Sequence, residues 1–134
     1  MSQGQQQDVV TVFGGSGFVG SRIVAHLVAG GIATRVAVRH PMKASASLAA
    51  ETAQHAAVVY TDVCNENSVA TALDNAIAAV NTVGLYVESR TETFEAVHEI
   101  GAQSLARQCA AMGVAQLVHL SGIGADVHSP SRYV

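Results

Sequence analysis

The run VTVFGGSGFVGSRIVAHL holds the most chemically specific spacing in the chain. A β-branched stretch enters Gly14, Gly15, Ser16, Gly17, Phe18, Val19 and Gly20, and an amphipathic stretch leaves them. A strand that turns through glycine straight into a helix presents unpaired backbone N–H groups, backed by the positive end of the helix dipole. A pyrophosphate is the ligand such a turn suits. Gly14 or Gly15 permits the turn, Gly17 clears room for phosphate oxygens, and Gly20 lets the helix lie close on the strand. The spacing reads as GxGxxG from Gly15 or as GxxGxxG from Gly14. A glycine turn with no ligand looks the same locally, but strand, loop, helix and second strand arrive here in order, which favours dinucleotide binding.

The end of the second strand bears on which dinucleotide. An acidic side chain there accepts hydrogen bonds from the adenosine ribose of NAD, whereas VAVRHP (36–41) places Arg39 at that point. A guanidinium suits a 2′-phosphate, so NADP(H) is expected ahead of NAD(H), the alternative being an Arg that solvates a strand end. Metal chemistry is not expected. The six histidines never fall at a ligand spacing such as HxxxH, and Cys64 and Cys109 stand far apart with no CxxC pair. Two such thiols in a chain with no secretion signal are expected to be reduced and half-buried.

The elements that must position these residues are legible as alternating runs. Short apolar stretches fall at VVTVF (9–13), TRVAV (34–38), AAVVY (56–60), AAVNTVGL (78–85) and QLVHLS (116–121), separated by longer Ala-rich amphipathic ones. Five strands with four helical stretches give an α/β, doubly wound parallel sheet, the Rossmann fold. In the first helix Val19, Ile23 and Leu27 recur every four residues, with Gly30 and Gly31 as its stop. In the last, Phe94, Val97, Gly101, Leu105 and Met112 keep helical period from Thr91 until Gly113. Pro41 suits a first helical turn, and Asn65 or Asn67 a helix cap. Residues 1–7, polar and Gln-rich, are expected to be a disordered leader, and 8–134 one domain.

Composition narrows the partners. The 134 residues are 49% hydrophobic and only 13% charged, with a formal net charge of -3 and no Trp. That supports one sizeable core and offers neither phosphate backbones nor anionic membranes an attractive surface. No apolar run is long enough to span a bilayer and the N-terminus has no signal pattern, so a cytoplasmic location is expected.

The GGSGFVG loop, TDV (61–63), NTVGLY (81–86) and LVHLSGIGAD (117–126) together resemble the short-chain dehydrogenase/reductase superfamily. VAVRHP, VHEIGAQSLARQCAAMGV and the closing SRYV are most similar to its extended or atypical branch, the epimerase/dehydratase-like proteins. Within that branch the nearest resemblance is to relatives of the NAD(P)H-binding accessory subunit of respiratory complex I. The resemblance implies that Asp62 and Val63 border the adenine, and that Val83, Gly84 and Leu85 pass beside it and the adjoining ribose. Asp62 equally suits the start of a turn before the third helix, and Gly84 a strand bulge.

Enzymes of the superfamily use a Tyr and, four residues on, a Lys. Tyr133 matches the Tyr, and its Lys would fall after Val134, so the chain reads as a Rossmann domain truncated at the C-terminal end. The alternative is a surface Tyr in a tail. Ser121 stands at the family's Ser or Thr position after the fifth strand, although alignment on the start of the usual serine run puts Ile123 at the reactive position. His98 falls near a family Asn, or is an ordinary helix-face residue. The resemblance thus implies an NAD(P)-binding oxidoreductase or epimerase acting on an unknown small molecule. The alternative is a non-catalytic regulatory or complex I accessory protein. An unfinished sheet would expose apolar surface, which leaves an oligomer or respiratory-complex association open.

Overall fold

The structure, a computed structural model, describes residues 7–134, so the expected leader lies, apart from Gln7, outside the described residues. Five parallel strands stand in the order β3-β2-β1-β4-β5: β1 Val9–Phe13, β2 Ala33–Val38, β3 Ala56–Tyr60, β4 Ala76–Asn81 and β5 Gln116–His119. The central β1 pairs with β2 on one side and β4 on the other, Phe13 lying opposite Ala37 and Asn81. The expected doubly wound parallel α/β sheet is therefore the fold observed.

Helices cover both faces, and alternate residues of each strand separate the two cores. Val12, Val36 and Val38 face α1 (Phe18–Ala29), α2 (Pro41–Ser47) and α3 (Ala50–His55), packing with Val24, Ala44 and Leu48. Phe13, Ala37 and Ala79 face α4 (Glu66–Ala72) and α5 (Gly101–Ala111), packing with Val69, Ala72, Leu105 and Cys109. Pro41 takes the first turn of α2, where its missing N–H costs nothing. Asn65, rather than Asn67, caps α4 by accepting from Ser68 N–H at 3.1 Å. Gly31 and Gly113 follow α1 and α5 with φ of 73° and 71°, the left-handed conformation a helix stop requires.

Four expected features of the elements differ. The fourth strand ends at Asn81, not Leu85, because the buried Asn81 amide redirects the chain: its Oδ1 accepts from Val83 N–H at 3.1 Å and its Nδ2 meets His119 Nδ1 at 3.1 Å. Gly84 thus lies outside the sheet, so the strand-bulge reading does not apply. The fifth strand ends at His119, short of Ser121, and the second helical stretch breaks into two at Leu48, which is extended. The last helix opens as a wide π-type turn, Glu95–Ile100, before α5.

The C-terminal end of α4 is held from the sheet. The Thr11 hydroxyl donates to Ala72 O at 2.8 Å, and Arg35 Nη1 donates to Ala72 O and Asp74 O, each at 2.7 Å.

Candidate dinucleotide site

Between β1 and α1 the chain turns through Gly14, whose φ of 74° is open to glycine at little cost. Gly14 N–H donates to Ala37 O and Gly17 N–H to Gly14 O, both at 3.0 Å. A Cβ on Gly20 would run into Gly14 O and sit 2.7 Å from Thr82 Oγ1, so glycine here is what lets α1 seat on the turn. Gly15 is buried, and a Cβ there would meet Val36 Cγ1 at 2.9 Å. Gly17 differs: it is exposed, and its Cβ would meet only Gly14 O, at 3.3 Å. The start of α1 has no side-chain cap and no acidic residue in its first turn, so nothing from the helix competes for its N–H groups.

A cleft of about 820 Å³ opens above this turn, across the carboxyl ends of the strands. Its wall brings together Gly14, Ser16, Gly17, Arg39, Asp62, Val63, Val83, Gly84 and Leu85 of the residues expected from sequence. Gly15 and Gly20 serve beneath it as packing positions. Phe18 and Val19 are exposed and outside the wall; Phe18 carries the Arg22 guanidinium 3.9 Å over its ring.

Asp62 faces the cleft and also begins a turn, its Oδ1 accepting from Cys64 N–H at 2.9 Å. Burial, with the Asp62 carboxylate beside it, pushes the Cys64 thiol above its ordinary value, and burial alone raises Cys109. Both cysteines are free, and neither is half-buried: Cys64 is exposed and Cys109 buried. Val63 marks how closely the junction of the π-type turn and α5 approaches: a Cβ on Gly101, the first residue of α5, would lie 2.9 Å from Val63 Cγ2. From that turn His98 Nε2 sits 2.7 Å from Leu85 N and 3.0 Å from Leu85 O, fixing the segment that carries Val83 to Leu85.

Several cleft residues were not singled out from sequence. The Thr82 hydroxyl lies 2.7 Å from Phe13 O and 3.1 Å from Gly14 O, tying the exit of β4 to the glycine turn. Its only sequence signal is a hydroxyl at a strand end. Lys43 and His40 share the Arg39 end of the cleft, and Glu92 forms an ion pair with Arg39.

The two residues expected to carry chemistry lie outside this wall. Ser121 is exposed beyond β5, and no hydrogen bond joins it to Tyr133. The Tyr133 ring packs among Phe94, Tyr86 and His98, with centroids 5.5, 6.1 and 6.1 Å away. Arg132 beside it pairs with Glu88 at 3.4 Å, and Ile123 is fully exposed.

Residues 11–131 match the model of the 3-beta hydroxysteroid dehydrogenase/isomerase family. A search of the curated proteins finds no significant match. Among solved structures, the chain is similar to Pen from Bacillus thuringiensis (TM-score 0.72, 18% identity), covering 83% of this chain and 37% of that one. It is likewise similar to a uronate dehydrogenase variant from Agrobacterium tumefaciens complexed with NAD (TM-score 0.67, 22% identity, 87% of this chain and 41% of that one). A short-chain dehydrogenase/reductase superfamily protein from the same organism, with bound NAD, gives a TM-score of 0.70 at 20% identity over 85% of this chain and 32% of that one. The chain therefore spans well under half the length of these neighbours. Family model and sheet order agree: the chain belongs to the 3-beta hydroxysteroid dehydrogenase/isomerase family.

Proposed function

We propose that residues 8–134 form the NAD(P)(H)-binding domain of an extended-branch oxidoreductase or epimerase acting on a small molecule. One observation carries the reading: a glycine turn, closed underneath by Gly14, Gly20 and Thr82, floors a cleft at the carboxyl ends of a doubly wound sheet. Ligands of open α/β sheets bind at that edge. The turn and the start of α1 would hold the pyrophosphate, Asp62 and Val63 would border the adenine, and Val83 to Leu85 would flank adenine and ribose. Two of the structural neighbours hold NAD. We favour NADP(H) for this chain because Arg39, Lys43 and His40 gather cationic or proton-donating groups at one end of the cleft. When bound, the nicotinamide would supply or accept hydride, and the chain's part is to bind and orient it. A cytoplasmic location belongs to the same proposal.

Gly17→Val tests the site. Its φ of -75° suits any residue and its Cβ meets only one backbone oxygen, so the fold should survive. The branched side chain would occupy the phosphate space, and calorimetry with NADPH and NADH should show affinity falling by about a hundredfold or more. Unchanged affinity in a folded variant would refute the site.

A second reading is a cofactor-bound protein without chemistry, such as a regulatory or respiratory-complex accessory protein; it is supported by the position of Tyr133 outside the cleft wall. Tyr133 packs on aromatic rings and His98, while Arg132 is committed to Glu88. On this reading the chain oxidises no NADPH against a panel of carbonyl compounds. Turnover that disappears in Tyr133→Phe would exclude it.

A further inference from the structure

Arg39 and Glu92 meet across the mouth of the cleft. Arg39 follows β2, Glu92 lies in the connection between β4 and the last helix, and their side chains form an ion pair. Both line the cleft. A small turn presents Glu92: Ser89 Oγ accepts from the N–H groups of Glu92 at 3.1 Å and Thr91 at 3.3 Å, while Ser89 N–H donates to Glu92 O at 2.8 Å. The carboxylate thereby occupies the guanidinium that a 2′-phosphate would need, with the acceptor chemistry a phosphate offers. Lys43, in the same wall, belongs to no ion pair among the described residues.

We infer that Glu92 is a built-in competitor for the 2′-phosphate of NADP, and that NADP binding transfers Arg39 from Glu92 to the phosphate while NAD binding leaves the pair closed. The inference rests on the dinucleotide reading of the cleft. Magnitudes decide the direction of exchange. Arg39 is 53% and Glu92 33% exposed, so water screens their attraction. A phosphate monoester brings nearly two negative charges where the carboxylate brings one, and Lys43 is available to share them. Phosphate therefore displaces Glu92, but at a cost, so Glu92 narrows the preference for NADP over NAD. Release of Glu92 also frees the 89–92 turn, which carries the exposed Arg90. The two cofactors would then leave this rim of the cleft in different states.

Calorimetry with NADP and NAD on the parent chain, Glu92→Gln, Arg39→Ala and the double variant tests the exchange. Glu92→Gln should tighten NADP about two- to fivefold, the range of a screened ion pair, with NAD changed by less than about twofold. In the Arg39→Ala background the same substitution should no longer matter. Limited trypsin digestion supplies a second readout: cleavage after Arg90 should be faster with NADP than with NAD, and fast in Glu92→Gln without ligand. NADP affinity that Glu92→Gln leaves unchanged or weakens would overturn the exchange. So would equal tightening without Arg39, which would mark a diffuse charge effect. Binding of neither dinucleotide by any of these chains would sink the dinucleotide reading and the exchange with it.

Discussion

From Val10 to Phe13 every residue of β1 is buried, whereas β5 buries none of its residues and Leu117 is its least exposed. β1 has strands on both sides and helices on both faces, so its geometry is set by burial and by the glycines that let α1 close on it. β5 pairs only with β4 and leaves Val118 and Leu120 half-exposed. The glycine turn proposed to hold the cofactor follows the first region, and the residues expected for chemistry follow the second. Backbone geometry locked in a core suffices to cradle a pyrophosphate, but a reactive hydroxyl needs side chains positioned by neighbours.

Stability measurements can break this contrast. Phe13→Ala removes a fully buried ring between the sheet and the α4/α5 layer and should cost about 3–5 kcal/mol in urea unfolding. Gly20→Ala should cost about 2–3 kcal/mol, because the new methyl meets the Gly14 carbonyl and Thr82 and must push α1 off the turn. Leu120→Ala, half-exposed just beyond β5, should stay within about 0.5 kcal/mol. A loss at Leu120 comparable to that at Phe13 would mean that the β5 region is packed as tightly as the centre, and the division would fail.

The sequence disclosed what is local. A glycine turn is written in consecutive residues, and the two periods of strand and helix are written in their neighbours. The run NTVGL kept its apolar character past the point where the sheet ends, because the Asn81 amide that redirects the chain finds one of its partners on β5. The π-type turn left no periodic mark that separates it from an α-helix, although it is what brings His98 to Leu85. Arg39 was legible as a cation at a strand end, but its counter-ion stands 53 residues away and only the fold unites them. Thr82 escaped for the same reason, its acceptors being 68 and 69 residues earlier. For Tyr133 the motif named a proton-transfer role, and nothing local in it announced the ring contacts with Phe94 and Tyr86, which lie 39 and 47 residues earlier.

The clasp on α4 has a consequence for how the molecule opens. Seven residues are too few for a helix to persist alone in water, so α4 exists on the strength of its attachments. Thr11 of β1 and Arg35 of β2 grip its last carbonyl, Ala72 O, from the middle of the sheet, Arg35 also holding Asp74 O just beyond it, and Val69 and Ala72 lie in the core beneath. Fraying at that end must therefore break bonds to the two central strands, which joins α4 to the sheet as one cooperative folding unit. Its amides should exchange with solvent on the timescale of global unfolding, as slowly as those of β1, despite belonging to one of the shortest helices in the protein.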